Sequence, residues 1–207
     1  MILNRTIGRA DCLVLALDRG LRALTPRPVT DSPQNALPPE QASRSARLMR
    51  VNHCGEVCAQ GLYFGQAIGS DRAVLRQVYV AAADEELQHL GLMSQRLVEL
   101  GGRASRLDGL FYNGSITIGV LAARFGDAVS LGFLKETERQ VEEHLSEHIQ
   151  RLPADDHRSA ALLRQMQADE QRHAETADRL GAAPLPSLVN QAMRTAAQVM
   201  TRLSYRF

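Results

Sequence analysis

Two stretches of the chain read almost alike: ADEELQHL at 83–90 and ADEQRHAE at 168–175. Each sets a glutamate three residues before a histidine. On a helix, positions i and i+3 share a face, about 5–6 Å apart at Cβ. Glu86 with His89, and Glu170 with His173, each therefore present a carboxylate and an imidazole together. One such pair on a wet helix surface carries no information. Two pairs, each preceded at similar distance by another glutamate, do. Upstream of the first lies MRVNHCGEVCAQG (49–61), where Glu56 sits among Val51, Cys54, Gly55, Val57 and Cys58. A carboxylate buried in such company must be paired or metal-bound, because desolvating it alone costs several kcal/mol. Upstream of the second, LKETERQVEEHLSEH (134–148) offers Glu136, Glu138, Glu142 and Glu143. Glu138 fits best: it precedes Glu170 by 32 residues, as Glu56 precedes Glu86 by 30. The repeated unit is a helix with Glu, a turn, and a helix with Glu-x-x-His.

The rest of the chain agrees with a helical frame. Long helices are expected near 41–69, 71–100, 127–152 and 155–180, with Asp71, Asp127 and Asp155 or Asp156 as N-caps and glycines at 69, 101–102 and 181 as stops. Residues 11–24 form a short amphipathic helix, and 187–204 a last one capped by Ser187. Residues 25–40 hold five prolines and read as a linker or extended wrap. No strand run stands out. The chain is thus all-α. We expect residues 1–40 to be an N-terminal helix plus linker, and 41–207 to form one bundle domain.

Two helical hairpins can pack so that Glu56, Glu86, His89, Glu138, Glu170 and His173 all point inward. This matches the described pattern of ferritin-like di-iron and di-manganese carboxylate bundles. The donor types make chemical sense. Four glutamates balance two divalent ions, two imidazoles complete the set, and oxygen-rich donors suit iron or manganese. Glu86 and Glu170 are then the bridging ligands, and Glu56 and Glu138 the terminal ones. Glu85, four residues before His89, is an alternative to Glu86, whereas Glu175 is expected in solvent. His53 is expected in the core or donating to a ligand carboxylate. Of His144 and His148, one is expected beside the ligands and the other in water. Asp84 and Asp169 are candidates to orient a ligand histidine. Cys54 and Cys58 are read as small core thiols.

Composition narrows the function. The net charge is +1, Trp is absent and the aromatics are not interleaved with basic patches, so no nucleic-acid partner is expected. Three cysteines imply no disulfide framework and a reducing compartment. Positive charge is almost all Arg, with Lys135 the one lysine, as in a GC-rich, bacterial genome. The N-terminus lacks a signal-peptide apolar core, though its Arg-bearing amphipathic character leaves a transit peptide open. No stretch of about 20 apolar residues suggests a transmembrane helix.

MRVNHCGEVCAQGLYFGQ, ADEELQHL, TERQVEEHL and DEQRHAE, in this order and spacing over roughly 45–205, resemble the demethoxyubiquinone hydroxylase family of ubiquinone biosynthesis. The resemblance implies a ferritin-like four-helix bundle with additional N-terminal, crossover and C-terminal helices. It implies two Fe ions per chain, with Glu56, Glu86 and His89 at one, Glu138, Glu170 and His173 at the other, and Glu86 and Glu170 bridging. It further implies an O2-dependent monooxygenase hydroxylating the ring of a polyprenylated methoxy-methyl-benzoquinol. Such an enzyme sits peripherally on the cytoplasmic side of the bacterial cell membrane. One oxygen atom goes to the ring and the other leaves as water, so two further electrons are required. No GxGxxG or flavin segment is present. The reductant therefore comes from outside, from the quinol itself, or from a nicotinamide such as NADH docking on the surface, which the family admits. Cys54, where the family more often has a small residue such as alanine, and Cys58 depart from its pattern.

The membrane contact is expected from ITIGVLAARFGDAVSLGFL (116–134), unless that segment is a buried crossover between the hairpins. The helices at 11–24 and 187–204 are further candidates for membrane, a ubiquinone-biosynthesis partner or a second copy. Three other readings compete: an iron storage or oxidase protein of the same fold, a di-iron hydroxylase of modified tRNA, and a non-catalytic helical scaffold. The Gly-rich apolar crossover disfavours the first and the neutral charge the second.

Overall fold

A computed structural model describes residues 7–25 and 37–207; most of the proline-rich segment at 25–40 lies outside them. The described residues form helices α1 (Arg9–Leu24), α2 (Pro39–Gly69), α3 (Ala73–Glu99), α4 (Asp108–Arg124), α5 (Asp127–Arg151), α6 (His157–Arg179) and α7 (Ser187–Arg206), with no strand among them. Helices α2 and α3 form one hairpin and α5 and α6 the second. Together they make the four-helix core, with α4 as the crossover between them and α1 and α7 packed outside. The all-α, ferritin-like expectation holds.

Local chemistry explains where the helices begin and end. Pro39 opens α2 at a position where its missing N–H is no loss. α3 closes on the glycine pair: Gly101 takes φ 67°, and the Gly102 amide donates back to the Leu97 carbonyl at 2.7 Å. Asp156, not Asp155, caps α6, accepting from the Ser159 amide at 3.0 Å. The other expected caps are corrected. Arg72 precedes α3 without a side-chain cap, because Asp71 is drawn instead to the Arg9 guanidinium of α1. Asp127 lies in the first turn of α5 behind Gly126 and faces Arg72 at 3.3 Å. Ser187 is likewise the first residue of α7, behind Pro186.

α4 lies against α2 through glycines. A Cβ added at Gly119 would stand 2.1 Å from the Leu62 carbonyl oxygen, and one at Gly65 2.2 Å from that of Ile116. The backbones themselves are in contact, so no side chain fits between them. Gly119→Ala should therefore force α4 off α2 and lower stability by about 1–3 kcal/mol, the usual cost of overpacking. A thermal melt at the wild-type midpoint would contradict the close approach.

The 116–134 segment thus divides. Gly119 and Ala122 of α4, and Ser130, Leu131, Gly132 and Leu134 of α5, are buried, while Ile118, Leu121 and Phe125 are exposed. α1 is docked, not detached. Cys12 and Ala16 share one apolar cluster with Tyr63, Phe64 and Tyr79, and the Tyr112 hydroxyl of α4 donates to the Ala16 carbonyl at 2.7 Å. Among the described residues, no helix is long and apolar enough to cross a membrane.

Candidate metal centre

Each of the four core helices delivers its share of one buried cluster. Glu56 comes from α2, Glu86 and His89 from α3, Glu138 from α5, and Glu170 and His173 from α6. All four carboxylates are at most 2% exposed. His89 Nδ1 lies 3.1 Å from Glu86, 3.4 Å from Glu170 and 3.8 Å from Glu56. His173 Nδ1 lies 3.2 Å from Glu138, 3.4 Å from Glu170 and 3.5 Å from Glu86. Two sets of donor atoms gather within 4.8 Å: Glu56, Glu86, His89 and Glu170, and then Glu86, Glu138, Glu170 and His173. Glu86 and Glu170 belong to both sets.

The other ring nitrogen of each histidine is held by the opposite hairpin. His89 Nε2 meets Asp169 at 3.2 Å, and His173 Nε2 meets Glu85 at 2.8 Å. In each case the partner immediately precedes a shared glutamate, Glu170 or Glu86. This arrangement fixes the rings with Nδ1 facing the carboxylates. Asp169 does what the sequence suggested. Asp84 does not: it pairs with Arg19 of α1 at 2.8 Å, and Glu85 takes the role instead of replacing Glu86.

The electrostatics are those of an incomplete charge balance. Burial first, then the Glu170 and Glu56 carboxylates, hold Glu86 well above the usual carboxylate range. Burial and Glu170 push Glu138 up to about 8. Burial opposes ionisation of Glu170 as well, but the adjoining His173 and His89 rings hold it down to about 2. Burial would lower both histidines. Instead, the adjoining carboxylates of Glu170, Glu56 and Glu86 raise His89 far above its usual value, and those of Glu138 and Glu170 raise His173 to about 12. Glu86 Oε1, Glu138 Oε2, both Glu170 oxygens and His173 Nδ1 are buried without a hydrogen-bond partner. Four carboxylates and two imidazoles with orphaned atoms directed at one another fit divalent cations, of the hard oxygen-preferring kind that also accept imidazole.

A pH dependence follows for protein stripped of metal. Glu138, raised from 4.5 to about 8, contributes stability that is present below 4.5 and lost as pH climbs to 8. His173, raised from 6.5 to about 12, adds stability below 6.5 that is lost toward 12. Glu170 opposes them only in acid, because its contribution is present above 4.5 and lost as pH falls to about 2. Thermal melts of metal-free protein should show a midpoint falling between about pH 5 and 8, and saturating divalent metal should flatten the curve. A midpoint that rises over that range would contradict the assignment.

The remaining candidates lie elsewhere. His53 is in the core, but its partners are Asp108 at 3.2 Å and Ser94 at 3.1 Å, so it ties α2 to α4 and α3 and not to a ligand. His148 is buried, not wet. Its Nδ1 meets Asn52 Oδ1 at 2.7 Å, and burial with the His144 ring 3.9 Å away pushes its pKa down to about 2. His144 is half-buried, and burial lowers its pKa too. Cys54 is buried and Cys58 half-buried, and neither joins the donor sets. Hydrogen bonding to Cys58, then burial, raise the Cys54 thiol. Glu175 is exposed, bonded to Gln171 at 3.2 Å. Glu136 and Glu143 both pair with Arg139. The sequence reading missed Tyr63, whose hydroxyl donates to Glu138 Oε1. It lies seven residues after Glu56, two turns along the same face, and that spacing was available as a signal.

Residues 43–204 match the family model described as ubiquinone biosynthesis protein COQ7. A protein of Dechloromonas aromatica named 3-demethoxyubiquinol 3-hydroxylase is 51% identical over 204 residues, covering 95% of this chain and 99% of its own. Proteins of the same name from Azoarcus sp. and Methylibium petroleiphilum are 49% and 46% identical, covering 95% and 98% of this chain and 98% and 99% of theirs. With a match over most of its length and relatives near half identity across the whole chain, this chain belongs to the COQ7 family of ubiquinone biosynthesis proteins.

Proposed function

We propose that the protein is a 3-demethoxyubiquinol 3-hydroxylase that holds two iron ions per chain in the Glu/His cluster. The observation that carries this reading is the pair of donor sets sharing Glu86 and Glu170, inside a chain of this family. Glu56 and His89 complete one metal position, and Glu138 and His173 the other. Iron, when bound, supplies the redox chemistry that places one atom of O2 on the quinol ring and releases the other as water, with two electrons from an external donor such as NADH. The chain's own residues do the rest. Glu86 and Glu170 reach both positions, and Asp169 and Glu85 hold the imidazole Nδ1 atoms inward. Glu85, half-exposed, links His173 to the protein surface. The surrounding apolar core keeps bulk water from the carboxylates.

The quinol's isoprenoid tail calls for a peripheral contact with the cell membrane, which we assign to its cytoplasmic face. Leu13, Val14, Leu17 and Leu21 of α1, Leu110, Ile118 and Leu121 of α4, and Phe125 just past its end supply exposed apolar surface for that contact. The two helices adjoin through Tyr112 and Ala16.

Metal removal tests the reading. Chelated protein should convert no short-tailed demethoxyquinol, and anaerobic ferrous iron should restore turnover in proportion to loading, up to two ions per chain. Full turnover by iron-free protein would reject it.

A further inference from the structure

The two halves of the cluster are alike in sequence but not in what supports them. Tyr63 is fully buried beneath the carboxylates, and its hydroxyl donates to Glu138 Oε1. The same Oε1 lies 3.2 Å from His173 Nδ1, while Glu138 Oε2 is buried and without a partner, so the tyrosine fixes the carboxylate at the edge of the cluster. Glu56 has no such support: among the described residues no hydroxyl or amide donates to it, and His89 Nδ1 stands 3.8 Å away. The internal repeat shows why. Tyr63 follows Glu56 by seven residues on α2. The residue that follows Glu138 by seven on α5 is Leu145, buried at 1% exposure and unable to donate.

We infer that Tyr63 is a positioning residue that pins Glu138 in one orientation and makes the two metal positions unequal. The Glu138/His173 position is the rigid, tighter one. The Glu56/His89 position is the one whose carboxylate can swing and open coordination. A hydrogen bond to an ionised carboxylate is stronger than one between neutral groups, and a ligand already held in place loses less freedom on binding metal. Outer partners of this kind typically carry about 10–100-fold in metal affinity. The inference rests on the metal reading of the cluster, and the experiment separates the two.

Ferrous iron is titrated anaerobically into metal-free protein, and the two stepwise affinities are read by equilibrium dialysis with iron analysis. Wild type should bind two ions with unequal affinity. Tyr63→Phe should weaken the tighter step about 10–100-fold while moving the weaker step far less. Tyr79→Phe serves as control. It removes another buried hydroxyl, bonded to Ser130 Oγ at 2.8 Å and not to the cluster, and should change neither step. Glu138→Gln should abolish the tighter step and Glu56→Gln the weaker. These two variants decide the matter even if Tyr63→Phe fails to fold. Two irons bound with wild-type affinities in Tyr63→Phe would overturn this inference and leave the metal centre standing, as would loss of the weaker step in Glu138→Gln. A wild type that binds no iron would overturn the metal reading and this inference with it.

Discussion

Replacing Glu170 with alanine should abolish hydroxylation while leaving the helix content unchanged. Glu170 is 1% exposed, belongs to both donor sets, and lies 3.4 Å from the Nδ1 atoms of both His89 and His173. Its removal would strip an oxygen donor from both donor sets, the two proposed metal positions, and free both imidazoles. The loss should exceed the ~10–100-fold that follows from deleting an outer partner of a metal ligand. α6 itself does not depend on Glu170, because the Asp156 cap and the buried Leu163 and Met166 hold it. Turnover assays and far-UV circular dichroism measure the two halves of this expectation. Wild-type turnover in the variant would remove Glu170 from the site, and a collapsed spectrum would assign it a structural role instead.

The largest effect on stability should come from Arg96→Met, remote from the Glu/His cluster. Arg96, 5% exposed, joins the end of α3 to the start of α6. It reaches Glu99 at 3.0 Å, Asp156 at 2.8 Å and Ser159 Oγ at 2.9 Å. Glu99 keeps a second cation, Arg158, at the rim. Asp156 keeps only neutral donors, and it is also the α6 cap. Removing one partner from a buried ionic network typically costs about 3–5 kcal/mol, because the remaining charge is left desolvated. Burial works against ionised Asp156, but the Ser45 and Ser159 hydrogen bonds and Arg96 hold its pKa below the ordinary value. Its stabilising contribution is therefore present above the unfolded carboxylate's pKa and lost in acid, so the Arg96→Met penalty should shrink as pH falls below about 4. Urea unfolding at neutral and acid pH measures both. A penalty under ~1 kcal/mol at neutral pH would mean that the network is not closed as described.

How much of this could be read beforehand depends on range. The hairpin repeat was legible because ligand chemistry demands Glu and His at i, i+3, and helical geometry places them together whatever lies around them. The lengths of α2, α3, α5 and α6 followed from their glycine and proline stops. Asp71 was misread because a cap competes with any nearby cation, and Arg9 lies 62 residues away in sequence. Which of Asp84 and Glu85 meets the opposite histidine depends on the rotation of α3 about its axis, a property of packing and not of spacing. His53 lies in the core as expected, but its partner Asp108, and the Asn52 that holds His148 away from solvent, sit on other helices and do not show in spacing. The glycines along α2 and at Gly119 were visible, but that they face one another is a tertiary fact.

The most direct measurement of the central claim is isotopic. Protein loaded anaerobically with ferrous iron is given a short-tailed demethoxyquinol, NADH and ¹⁸O2, and the product is weighed by mass spectrometry. The account predicts a quinol carrying one added oxygen atom, labelled, with no product from protein lacking iron or bearing Glu170→Ala. An unlabelled product, or an unchanged quinol from protein holding two irons per chain, would contradict it.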